Sequence, residues 1–302
     1  MKEYIGKAIK RFRTNKLISA RELCHDISTI QQLSNIENGI QMPSAEKLIL
    51  YLERLNVSYD EFIFLMNDDY LKSKMLMRRN LTEYVKRHNK VGLQNLAEEA
   101  GELFYQYEDI YFQHAQSIAN AMYCLHETNF DYDQARKHLQ PIEAYLINID
   151  ELGYYEVTLI SQCLFMFKLE TALLFGKRAL DAIEERYFFY KNEVEGCILL
   201  ENLAIYCLDH EKYYHLSLKY SQLSLNLAAT TDDATRALHA KIINQVAYFK
   251  LQNGLFNYEY LLSLVDTFQL LEWKGRHEYF LNFIKKHGII LNYKPHSVNE
   301  TG

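Results

Sequence analysis

The chain has 302 residues, 49% of them hydrophobic, with only 11 Gly and 3 Pro. That length suits two domains, or one domain plus an extended array, and the shortage of helix breakers argues against a fold of many strands and tight turns. The net charge of −6 rules out a uniformly basic surface, yet residues 1–21 carry seven Lys and Arg against the single acid Glu3, a local patch that suits phosphate contact as readily as a solvated helix face.

In chain order, Ile5, Ala8, Ile9 and Phe12 form an apolar stripe at helical spacing. A second helix is expected to open at Ser19, with Glu22 three residues on as a capping box and Leu23 and Ile27 on its buried side. A third opens near Ser28 or Thr29 and stops at Asn38-Gly39, where glycine takes the left-handed geometry that ends helices. Pro43-Ser44 precedes a fourth, with Leu48, Leu52 and Leu55, and Tyr59, Phe62, Ile63 and Leu65 mark a short fifth. On the third helix Leu33 and Ile36 must face the core, which turns Gln31, Ser34, Asn35 and Asn38 outward, with Ile30 and Gln32 at the flanks. Amide side chains pair with adenine edges in a major groove, and Ile30 suits a thymine methyl. Asn and Gln also occur on ordinary exposed helices.

After Asn67-Asp68-Asp69 helical periodicity continues nearly to the end. Asn120, Ser161, Asn202 and Asn244 recur at intervals of 41, 41 and 42 residues, and four residues after each lie Cys124, Phe165, Tyr206 and Tyr248. Breaks at Asn129 and Asn253-Gly254 separate paired helices, and the second helices keep small residues seven apart, Ala172 with Ala179 and Ser217 with Ser224. Such spacing lets a neighbouring helix approach closely. An earlier pair near Leu71–Arg87 and Leu93–Tyr105 starts the array, and a helix from Arg276 to His287 caps it. The pattern resembles the tetratricopeptide repeat, stretched to about 41 residues per unit. Stacked pairs of that kind present a concave surface lined by first helices. Asn120, Phe165, Asn202, Tyr206, Asn244 and Tyr248 are therefore candidates for holding a peptide, the asparagines through its backbone. The alternative is that Asn120, Asn202 and Asn244 bridge adjacent helices.

The run IKRFRTNKLISARELCHDISTIQQLSNIENG from Ile9 to Gly39 resembles the helix-turn-helix of phage repressors and the wider Xre family. In that family the third helix enters the major groove while the ends of the first two hold phosphates. The resemblance makes Arg11, Arg13, Lys16, Ser19, Thr29, Ile30, Gln31, Gln32, Ser34, Asn35 and Asn38 the expected DNA contacts. The sequence departs at Ala20, where the family often carries a phosphate-binding glutamine. Joined to a helical array, and with GKAIKRFRTNK, QQLSNIENG and LERLNVSYDEF in place, the chain resembles the Rgg/GadR/MutR group of regulators. That resemblance implies an all-α protein with a five-helix Xre-like DNA-binding domain at 1–66, a hinge at 67–70, a tetratricopeptide-like regulatory and dimerisation domain at 71–290 and a tail at 291–302. It implies a homodimer on a palindromic operator whose array binds a short signalling peptide. A scaffold holding a protein partner is the alternative, and Trp273 is a candidate for the dimer contact or ordinary core.

Five cysteines, with no CxxC pair, argue against a disulfide framework or a zinc site and for buried thiols in a reducing compartment. His210-Glu211 and His215 miss the zincin spacing by one residue. No enzyme motif, cofactor or metal is expected. With neither a leader peptide nor a bilayer-length apolar run, the expected location is the cytoplasm.

Overall fold

The structure is a computed structural model that describes residues 2–66, 69–128, 131–185, 190–252 and 254–290. The expected tail at 291–302 and the breaks at Asn129 and Asn253 lie outside those residues, as do Asn67 and Asp68 of the expected hinge. Among the described residues every regular element is helical, and none is a strand. No described helix is long and apolar enough to cross a membrane. The chain divides into two compact units, residues 1–130 and 131–302. The expected boundary near residue 66 thus lies inside the first unit, between two helices.

The first unit opens with α1 (Lys2–Asn15), α2 (Ala20–Cys24), α3 (Ile30–Glu37), α4 (Ala45–Leu55) and α5 (Tyr59–Met66). The anticipated capping box of Ser19 and Glu22 is in place, and the third and fourth helices are capped by Thr29, which accepts from Gln32 N, and Ser44, which accepts from Lys47 N. Each satisfies a backbone N–H that the first turn would leave unpaired. The five helices close over one core that includes Ile9, Phe12, Leu23, Leu33, Ile36, Tyr51, Leu55 and Phe62.

Two glycines let α1 lie directly on the end of α3. A Cβ on Gly6 would stand 2.0 Å from the Ile36 carbonyl oxygen. Gly39 has φ +71°, and a Cβ there would stand 3.0 Å from Glu3 Cα. Next come α6 (Asp69–Lys86), α7 (Lys90–Tyr107) and α8 (Ile110–Glu127), the expected first pair followed by the Asn120 helix. Leu71 of α6 packs against the five-helix core. Asp109 caps α8 and also accepts hydrogen bonds from Tyr70 (2.5 Å) and Lys74 (2.7 Å), which fastens α6 to the α7–α8 turn.

The second unit contains α9 (Tyr132–His138), α10 (Gln140–Asn148), α11 (Tyr154–Cys163), α12 (Leu169–Glu185), α13 (Tyr190–Leu208), α14 (Tyr214–Thr230), α15 (Ala234–Lys250), α16 (Tyr258–Leu270) and α17 (Lys274–Lys286). The small-residue spacing does what the sequence suggests. Ala172, Ala179, Ser217 and Ser224 are fully buried, and Gly176 lies so close to α13 that a Cβ would meet Leu203 at 2.7 Å. Cys163, Cys197 and Cys207 are buried thiols. Burial pushes Cys197 and Cys207 up to about 12, so neither is a thiolate at neutral pH.

Gly6→Ala should lower the stability of the first unit by about 2 kcal/mol, because backbone cannot yield to a methyl group at that distance; thermal melting followed by circular dichroism reads this directly. A second expectation concerns His287, buried at the end of α17 edge-on to Phe283. Burial pulls its pKa from 6.5 down to about 4. The unfolded chain therefore takes up a proton in that interval which the folded chain refuses. The contribution is intact above pH 6.5 and is lost as pH falls towards 4. Denaturant titrations across that range should show a steeper decline for the wild type than for His287→Leu.

Candidate functional site

The side of α3 turned from the core carries polar, uncharged groups. Gln31 donates from Nε2 to Asn35 Oδ1 at 3.1 Å, and Asn38 Nδ2 donates to Ser34 Oγ at 3.4 Å. An amide pair joined in this way always leaves one carbonyl oxygen and one NH2 unused, an acceptor and a donor one helical turn apart. That is the complement of a base edge in a major groove. Ile30, 52% exposed, sits beside them at the start of the helix. Thr29 and Ser19 are exposed, but each hydroxyl already caps its own helix. Gln32 lies on the flank, where its Oε1 accepts from Lys47 Nζ at 3.1 Å.

The expected phosphate contacts separate into two kinds. Arg11 and Lys16 are exposed, and Lys16 also reaches the Asn56 carbonyl at 3.1 Å. Arg13 departs from the expectation. Its guanidinium grips Glu37 through Nε (2.6 Å) and Nη2 (2.9 Å), and its Nη1 donates to the Ile18 carbonyl at 3.1 Å. The two side chains are only 14% and 7% exposed, and Glu37 holds the arginine further above its ordinary pKa. Arg13 therefore ties the end of α1 to the end of α3 rather than reaching outward. Two contributors escaped the sequence reading. Lys47 meets Gln32, and Arg54 Nη1 caps the end of α2 at the carbonyls of Leu23 (3.2 Å) and His25. Both are ordinary basic residues on an amphipathic helix, and no pattern distinguishes them before α4 is folded against its neighbours.

The 41-residue register falls on α8, α11, α13 and α15. In the second unit it is used mainly for bracing. Asn202 Nδ2 donates to the Ser161 carbonyl at 3.0 Å, and the Tyr206 hydroxyl donates to the Phe167 carbonyl at 2.7 Å. Asn244 is 5% exposed and accepts from Ser221 Oγ on α14. These three residues, expected to face a ligand, instead join α13 to the α11 region and α15 to α14. For Asn202 and Tyr206 the physical reason is that a carbonyl freed at a helix end or turn needs a donor from the next helix, whereas Asn244 pairs side chain to side chain with Ser221. Phe165 and Tyr248 are half-buried, Phe165 edge-on to Tyr132 at 6.4 Å. Asn120, in the first unit, lines a cleft with Gln94, Glu98, Gln116 and Tyr123. Trp273 is 41% exposed, stacks against Phe268 and lies beneath the Arg276 guanidinium. Among the described residues no three His, Cys, Asp or Glu side chains gather as a metal site.

Residues 9–62 match the helix-turn-helix family, and residues 92–282 match the family described as the C-terminal domain of the HTH-type transcriptional regulator Rgg. Two solved structures share the fold along almost their whole length. The SHP pheromone receptor Rgg2 of Streptococcus dysgalactiae is 17% identical with a TM-score of 0.73, over 93% of this chain and 98% of that one. PlcR of Bacillus thuringiensis, in complex with the peptide PapR7 and DNA, is 16% identical with a TM-score of 0.66, over 93% and 99%.

Removing one partner of a buried, doubly hydrogen-bonded ion pair strands the other. Arg13→Met should therefore destabilise the first five helices by about 3 kcal/mol, seen as earlier loss of helical signal on heating. A variant that melts like the wild type would contradict this assignment.

Proposed function

The chain belongs to the Rgg family of helix-turn-helix transcriptional regulators, and from that premise we propose a cytoplasmic homodimer that reads a palindromic operator and is controlled by a short peptide. The observation that carries the DNA half is the Gln31–Asn35 pair, a donor and an acceptor held on the outer face of α3. Ile30, Ser34 and Asn38 extend that reading face, while Arg11 and Lys16 hold phosphates beside it. One such helix buries little surface and binds weakly at cellular salt. Two copies on repeated half-sites gain by acting together.

For the peptide half, support comes from the family match across residues 92–282 and from likeness to a pheromone receptor and to PlcR bound to both a peptide and DNA. Phe165 and Tyr248 of the second unit are side chains we assign to ligand contact, and in the first unit Asn120 lines a cleft of its own unit that we assign to the same task. The peptide acts by favouring one of two arrangements of the dimer, and so changes the fit of the paired α3 helices to the half-sites. We assign the chain no catalytic role.

Gln31→Ala and Asn35→Ala should each weaken binding to the selected operator by about 1–3 kcal/mol, the worth of one base-edge interaction, with little change on random duplex. Peptides encoded by short reading frames beside the gene should shift operator affinity or transcription when titrated against the purified protein. A peptide that binds and changes neither would remove the proposed control, and equal affinity for operator and random DNA would remove specific recognition.

A further inference from the structure

One hydrogen bond on the DNA-binding helices joins a residue expected to read bases to one that no sequence pattern singles out. Lys47, in the first turn of α4, donates from Nζ to Gln32 Oε1 at 3.1 Å. An ammonium group can only donate, so the atom of Gln32 that faces it must be the oxygen. The orientation of this amide is therefore fixed by chemistry. Its NH2 is what remains for a ligand.

A glutamine that reads adenine uses its oxygen and nitrogen together. Here one of the oxygen's two lone pairs is held by the ammonium group, so an adenine would have to share that oxygen with Lys47. What the pair offers outward is the NH2 of Gln32, the other two N–H bonds of Lys47 and one positive charge. It is a cluster of donors, and its complement is an anionic acceptor. Direction agrees with chemistry. At about 100° per residue, Gln32 lies roughly a quarter turn from the Gln31–Asn35 face, on the side that meets α4. A side chain there meets the wall of a groove rather than its floor.

We propose that Lys47 and Gln32 form a phosphate clamp on one wall of the major groove, and that Gln32 reads no base. The clamp rests on the DNA-binding reading above and sharpens it. Lysine ordinarily surrenders much rotamer freedom when it grips a phosphate. Here the bond to Gln32 has already restricted it, so both groups meet the backbone in a prepared position. With the clamp seated, the register of α3 in the groove is set from the side, and Gln31 and Asn35 are left to discriminate.

The test uses the full-length wild type, Lys47→Met and Gln32→Ala, each first checked for unchanged thermal melting. A preferred duplex is selected from a random pool for each protein, and affinities for that duplex and for a random one are measured across a salt series. Lys47→Met should weaken both duplexes by a similar factor, roughly tenfold, and lower the salt slope by about one. Gln32→Ala should weaken both duplexes by a smaller common factor, keep the slope and select the same sequence as the wild type. A changed base preference at any position in Gln32→Ala would overturn the clamp and restore Gln32 as a reader. An unchanged slope in Lys47→Met would overturn it as well. A wild type that binds neither duplex would instead overturn the DNA-binding reading beneath it.

Discussion

The DNA-binding helices depend on how closely α1 is allowed to approach the end of α3. Gly6 leaves room for the Ile36 carbonyl, Gly39 turns the chain away beside Glu3, and Arg13 locks the same junction by gripping Glu37. The junction is backbone against backbone, with an ion pair at its edge, and it leaves α3 little freedom to roll. A helix that could roll would present Leu33 as readily as Gln31. Because Leu33 and Ile36 are fixed inward, the amide pair is fixed outward, and the chemistry of recognition follows from the packing on the opposite side.

Much of this was legible in the sequence because local rules decide it. Ser19, Thr29 and Ser44 are helix caps by residue type and position, and Gly39 is a stop for the same reason. The outward set on α3 follows from two apolar residues and a period of 3.6. What stayed hidden depends on partners distant in sequence. Arg13 looked like one more member of a basic patch, and nothing near it in the chain reveals that Glu37, 24 residues on, would claim it. Lys47 and Arg54 were overlooked for the same reason. Charge alone does not say whether a side chain faces solvent or a neighbouring helix.

The helical array shows a related division. The register of Asn120, Ser161, Asn202 and Asn244, at steps of 41 or 42 residues, falls on α8, α11, α13 and α15, yet periodicity reports only that the same position is used each time. It does not report for what. In the second unit Asn202 and Asn244 satisfy neighbouring helices, the bridging alternative that the sequence left open for the asparagines, and Tyr206 does so as well. Alanine, glycine and serine at the closest approaches complete the seam.

That bracing has a mechanical consequence. Asn202 and Tyr206 reach back to carbonyls 41 and 39 residues earlier, so the α13 segment is pinned at two points to the α11 segment, like the rungs of a ladder. A rung resists shear: neither helix can slide along its axis without stretching both bonds at once. A displacement of α13 is therefore shared with the α11 segment instead of being absorbed where it began.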